Sequence, residues 1–137
     1  MSSNTKPRRL LIENIEQAYK IINPVFLHTP QFECPSLSAL LNLSLTLKVE
    51  TNNPIRCFKG RGSEVIASTV KNHQKVVCAS AGNFGQAMAY SCTGRNIPVT
   101  VYAAFNANPF KVERMRALGA EVILEGADFR SEEHTSE

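Results

Sequence analysis

Apolar residues at 11, 12, 15, 18, 19 and 22 recur at the three- and four-residue spacing of one helical face, which predicts a helix over 11–22. Asn23-Pro24 ends it, because the residue before a proline avoids helical geometry. HTPQFECPSLSALLN then reads as a connector with a short helical turn near 38–42. After it a regular rhythm sets in. LSLTLKVE at 43–50 alternates apolar and polar residues as a strand does. GRGSEVIASTVKN at 60–72 predicts a helix burying Val65, Ile66, Thr69 and Val70, and KVVCAS at 75–80 a short apolar strand. NFGQAMAYSCTG at 83–94 predicts a helix with Phe84, Ala87, Met88, Ser91 and Cys92 on one face and Gly94 as its C-cap. PVTVYAA at 98–104 is a strand, NPFKVERMRALG at 108–119 a helix with Pro109 in its first turn, and AEVIL at 120–124 a strand.

Strands alternating with helices predict an α/β fold: a parallel βαβ sheet, here of four strands, with flanking helices. Ligands of such sheets sit beyond the carboxyl ends of the strands. Those ends are the loops around 51–59, 80–83 and 104–108, with Lys59 in the first and Asn83 in the second.

Composition narrows the function classes. The chain has 137 residues, 43% of them apolar and 20% charged, as in an ordinary soluble globular protein large enough for a core. A net charge of +3, scattered basic residues and no tryptophan argue against nucleic acid. No apolar run approaches the roughly 18 residues of a membrane span, and the N-terminal stretch lacks the apolar segment of a secretory signal. The four cysteines, at 34, 57, 78 and 92, form no C-x-x-C pair, so neither a disulfide framework nor a metal site is expected. The cytoplasm is the expected compartment.

Two stretches carry candidate chemistry. In CASAGNFGQ, at 78–86, small residues between a strand and a helix let backbone N–H groups approach an anion; Ser80 or Asn83 is equally well placed to cap the helix. No G-x-G-x-x-G follows a strand, and no P-loop lysine motif is present. In PIRCFKGRGSEV, at 54–65, Lys59 stands between Arg56 and Arg61 at a helix start. A free lysine has a pKa of about 10.4. Burial, neighbouring cations and the positive end of a helix would all favour its neutral, nucleophilic form. A solvated basic turn is the alternative.

Together, HTP, LKVE, NPIRCFKGRG, ASAGNFGQAMAY and NANPFKVERMRALGAEVI resemble the tryptophan-synthase-β-like (fold type II) family of pyridoxal-phosphate enzymes over about 12–129. The family includes threonine and serine dehydratases, serine racemases, cysteine synthases and threonine synthases. The resemblance implies that Lys59 binds pyridoxal 5'-phosphate as an imine and that Phe58 packs beside it. It implies that Asn83 bonds the cofactor's phenolic oxygen. Ser80, Ala81, Gly82 and Asn83 would hold the substrate. Two departures bear on substrate recognition: dehydratases typically carry serine where Cys57 stands, and many carry histidine where Phe84 stands.

The polar start (1–9) is expected to be disordered, and the resemblance divides the rest into a helix and connector belonging to a larger domain (10–44) and a truncated cofactor subdomain (45–129). Asp128 and Phe129 still resemble the family, whereas RSEEHTSE at 130–137 reads as a translated sequencing adapter, a non-native tail. The glycine-rich phosphate loop, the partner of the pyridine nitrogen and most of the larger domain are expected to be missing, leaving an inactive fragment. On the packing side, Ile15, Tyr19 and Ile22 are expected to lack partners. The implied enzyme is an ammonia-lyase (dehydratase) that eliminates across Cα–Cβ of threonine or serine, homo-oligomeric at full length. Racemisation and β-replacement are the rivals within the family, and a non-catalytic nucleotide-binding α/β module the rival outside it.

Overall fold

The structure is a computed structural model and describes residues 11–127. The expectations for 1–9, for Asp128 and Phe129, and for the tail at 130–137 lie outside the described residues. Helix α1 (Ile12–Ile21) ends before Asn23, whose Oδ1 accepts from the Val25 N–H at 3.1 Å and caps α2 (Pro24–Leu27). Proline suits the first position of α2 because an N–H there has no helical acceptor. Phe26 of α2 is fully buried and meets Tyr90 edge-on, with ring centroids 5.4 Å apart. Around Phe26 gather Ile22, Ile55, Cys57 and Ala87. Ile22 is therefore partnered, against expectation, because it sits beyond α1 where the chain turns inward; Ile15 and Tyr19 stay exposed.

Strand β1 (Gln31–Glu33), helix α3 (Pro35–Leu41) and strand β2 (Thr46–Lys48) come next. The predicted strand at 43–50 exists in part, as β2, but not in the parallel sheet. It pairs antiparallel with β1, Phe32 opposite Leu47. The reason is the connection: α3 ends on Asn42 in the left-handed region (φ 51), and the chain reverses at once. After that reversal Leu43 donates back to the Ser38 carbonyl and Leu45 to Ser38 Oγ, which leads the chain back alongside β1 in the opposite direction.

The parallel sheet accordingly has three strands rather than four: β3 (Val76–Ala79), β4 (Val99–Ala103) and β5 (Glu121–Leu124), in that spatial order, with Cys78, Val101 and Val122 in register. Helix α4 (Lys59–Thr69) precedes β3, α5 (Asn83–Thr93) links β3 to β4, and α6 (Pro109–Ala117) links β4 to β5. Central β4 is buried at all but Tyr102, as expected of a strand with neighbours on both sides. The main core joins Ala67, Met88, Ala89, Cys92, Val99, Val101, Val112, Met115 and Ala120.

The buried face of α4 differs from the predicted one. Gly60, Ser63, Glu64 and Ala67 are inside, Val65 and Val70 are half-buried, and Ile66 and Thr69 are exposed. Small residues let α4 lie against α5, and polar atoms there find partners. Ser63 and Ser91 hydroxyls bond at 2.8 Å, and Glu64 takes a two-pronged bond from Arg95 at 2.9 and 3.1 Å. Buried polar side chains are tolerated when paired in this way. Helix α5 is buried on most sides; Gly94 occupies its C-cap without a left-handed turn, which comes at Asn96 (φ 56).

Candidate active site

The loop that delivers Lys59 is built on one amide. A 3-10 turn at Glu50–Asn52 leads into Asn53, which is 4% exposed. Asn53 Oδ1 accepts from the N–H groups of Ile55 (3.1 Å) and Cys57 (3.2 Å). Its Nδ2 donates to the Cys57 carbonyl and to Glu50 Oε2, both at 3.0 Å. These four bonds hold a turn in which Arg56 adopts a left-handed φ of 54°. Arg114 of α6 donates to the Pro54 carbonyl at 2.6 Å from outside. Lys59 then opens α4, whose N-cap, Phe58, contributes no side-chain bond.

The electropositive, buried setting expected for Lys59 is not what the structure shows. Lys59 and Phe58 are exposed. Arg61 is engaged by Glu50 in a half-buried ion pair and also donates to the Phe26 carbonyl, so its charge is balanced within the fold. Arg56 is exposed.

At the second loop the two readings of Ser80 and Asn83 separate. Ser80 is buried, and its Oγ accepts from the N–H groups of Gly85 (2.9 Å) and Gly82 (3.3 Å). Ser80 therefore caps the first turn of α5. Asn83 is exposed at the first position of the helix; its Oδ1 lies 3.5 Å from Gln86 Nε2, and capping makes no use of its amide. Ala81 and Gly82 are half-buried between them. Gly85 sets the depth of this turn: a Cβ there would lie 2.6 Å from Met115 Sδ and 2.9 Å from the Ser80 carbonyl. Only glycine lets the helix start this close to the strand ends.

The two loops meet through Lys59 and Phe84. Lys59 Nζ lies 5.7 Å from the centroid of the Phe84 ring, within cation–π range. The arrangement brings a primary amine to the helix turn that carries Asn83, whose Oδ1 accepts a long bond from Gln86 while its amide N–H takes no part in capping, beside a loop with a hydroxyl and backbone N–H donors. That donor set fits a ligand with an electrophilic carbonyl and anionic oxygens, as pyridoxal phosphate is. Cys78 and Cys92 are not rival nucleophiles. Burial, and secondarily Cys92, pushes the Cys78 thiol up to about 11, and burial raises Cys92 as well, so neither is a thiolate at neutral pH. Among the described residues no three histidine, cysteine or acidic side chains gather to hold a metal.

Sequence reasoning missed Glu50, Asn53, Gly60 and Gly85 as site-shaping residues. The Asn53-Pro54 dipeptide was a readable turn signal; for the other three the sequence holds no local sign.

A family model described as pyridoxal-phosphate dependent enzyme matches residues 22–137. The biosynthetic L-threonine dehydratase of Halalkalibacterium halodurans is 34% identical over 127 residues, covering 88% of this chain and 31% of that protein. That of Escherichia coli is 32% identical over 104 residues, covering 74% and 20%. Among solved structures, maize serine racemase superposes with a TM-score of 0.79 at 29% identity, over 91% of this chain and 39% of that one. The processed form of threonine deaminase isoform 2 from Solanum lycopersicum superposes with a TM-score of 0.76 at 25% identity, over 96% and 38%. The chain thus spans about a fifth to a third of the length of these curated relatives.

Proposed function

The chain belongs to the pyridoxal-phosphate dependent enzyme family, of fold type II, and on that premise we propose that the enzyme built on it is an ammonia-lyase for threonine or serine. The reaction removes water across Cα–Cβ and, after hydrolysis, leaves a keto acid and ammonia. The observation that carries this reading is Lys59 Nζ poised over Phe84, on the turn that bears Ser80 and Asn83. Threonine dehydratases among the relatives support elimination.

In this reading Lys59 is the catalytic residue: its Nζ would hold the cofactor covalently and, once free of it, would take the Cα proton. Phe58 packs beside the cofactor. Asn83, free of capping duty, donates its amide N–H to the cofactor's phenolic oxygen. Ser80, Ala81 and Gly82, with Asn83, hold the substrate carboxylate through hydroxyl and backbone donors at a helix N-terminus. When bound, pyridoxal phosphate supplies the electron sink for negative charge at Cα. A cytoplasmic, homo-oligomeric enzyme belongs to the same proposal.

The test uses the full-length protein. Borohydride reduction after loading with pyridoxal phosphate should leave the cofactor attached at Lys59, and Lys59→Ala should abolish both the attachment and keto-acid formation. An equal yield of attached cofactor in Lys59→Ala would show that another lysine does the work. Racemisation is the second reading, favoured by the likeness to maize serine racemase; D-amino acid instead of keto acid and ammonia as the main product would select it.

A further inference from the structure

We propose that Asn53, clamped by Glu50, is the positioning residue that aims Lys59. The inference rests on the reading of Lys59 as the residue that binds the cofactor. Lys59 is exposed and its amine rests over the Phe84 ring, so its direction is inherited from the backbone that carries it. That backbone is tied down on both sides of Lys59. Two residues before it, Cys57 is held at both its N–H and its carbonyl by Asn53. Two residues after it, Arg61 is held by Glu50. The two ties converge, because Glu50 accepts Arg61 at Oε1 and Asn53 at Oε2. The anchor is buried and fully bonded, and it sustains the left-handed backbone at Arg56, a conformation that non-glycine residues rarely adopt. The N-cap of α4 makes no side-chain bond, so the direction of its first residue depends on these ties.

Asn53 touches none of the reacting atoms in this account; it acts through the loop. Replacing it with alanine frees the N–H groups of Ile55 and Cys57 and the Cys57 carbonyl, letting the Lys59 backbone wander. Misplacing a reacting group by about 1 Å costs on the order of a hundredfold in rate. A swap of partners offers a rescue. When Glu50→Gln is combined with Asn53→Asp, the new amide at position 50 still accepts from Arg61 and donates to the new carboxylate at position 53. That carboxylate still accepts from the N–H groups of Ile55 and Cys57, while the bond that Asn53 Nδ2 gives to the Cys57 carbonyl is lost, with or without the change at position 50. In Asn53→Asp alone, a carboxylate faces both Glu50 and the Cys57 carbonyl.

The experiment compares full-length wild type, Asn53→Ala, Asn53→Asp and the double variant. Three quantities are read: the rate at which added pyridoxal phosphate becomes borohydride-reducibly attached to Lys59, the pH at which the visible band of the bound cofactor titrates, and kcat against KM. Asn53→Ala and Asn53→Asp should slow attachment about tenfold or more, move the band's titration, and lower kcat while KM changes little. The double variant should attach the cofactor faster than Asn53→Asp alone, since it restores the bond between positions 50 and 53 but not the one to the Cys57 carbonyl. Wild-type attachment and titration in both single variants would overturn the proposal. So would losses that merely track the folded fraction in thermal melts with no recovery in the double variant. Absence of attachment at Lys59 in the wild type would instead overturn the reading of Lys59 itself, and the positioning role with it.

Discussion

Gly60 and Gly62 lie two residues apart in α4, and alanine at these two positions should have opposite effects. Helix propensity alone favours alanine at either by about 1 kcal/mol. At Gly62 a Cβ would meet nothing within 4 Å, so propensity decides and Gly62→Ala should stabilise by about 1 kcal/mol. At Gly60 a Cβ would lie 2.3, 2.5 and 2.8 Å from Phe26 Cε1, Cδ1 and Cζ. All three distances are well inside van der Waals contact. The Phe26 ring is fully buried with Tyr90 edge-on beside it, so it has no free space to move into. Overpacking of this kind costs typically 1–3 kcal/mol, and contacts this short belong at roughly the upper end. Net of propensity, Gly60→Ala should destabilise by about 2 kcal/mol. Urea denaturation at constant m-value would measure both. Thermal midpoints should separate the two variants by about 10 °C for a chain of this size. Because Gly60 directly follows Lys59, its variant should also attach pyridoxal phosphate more slowly. Equal stability of Gly60→Ala and wild type, or the same sign of effect in both variants, would refute the account of the α4 face.

Asn83→Asp should leave stability within about 0.5 kcal/mol of wild type or raise it, since Ser80 does the capping and a carboxylate suits a helix N-terminus. Its turnover should nevertheless fall about ten- to a hundredfold, the worth of a hydrogen bond to a charged oxygen, and unchanged turnover would remove Asn83 from the cofactor. Cys78 makes a prediction in alkali. Its folded pKa is raised from 9.0 to about 11, so the unfolded chain loses this proton first as pH rises. The associated stability is fully present below pH 9 and is lost towards pH 11, a slope worth about 2–3 kcal/mol. Cys78→Ala should flatten the fall in urea midpoint over that interval, and identical slopes would show the thiol to be solvated.

Local pattern determined most of the element order. Helices at Ile12–Ile21, Lys59–Thr69, Asn83–Thr93 and Pro109–Ala117 and strands at Val76–Ala79, Val99–Ala103 and Glu121–Leu124 stand where periodicity and Pro or Gly punctuation placed them. Lys59 at a helix start and a small-residue loop before Asn83 were equally legible, because both are properties of a few consecutive residues. What only the tertiary structure decided concerns partners distant in the chain. Alternation in LSLTLKVE announces a strand but says nothing of which edge it meets, and the chain reversal at Asn42 made that edge β1. Apolar spacing pointed to the wrong face of α4, because α5 comes close there and closeness selects glycine, serine and alanine over valine and isoleucine. Ser80 rather than Asn83 caps α5 because the Oγ's reach to Gly85 depends on the backbone path out of β3. Asn53 organises the Lys59 loop because its amide is buried among backbone groups of Ile55 and Cys57. Hydrophobic periodicity reports a residue's affinity for an interior; hydrogen-bond partnership and close approach are set by three-dimensional distance, which periodicity does not encode.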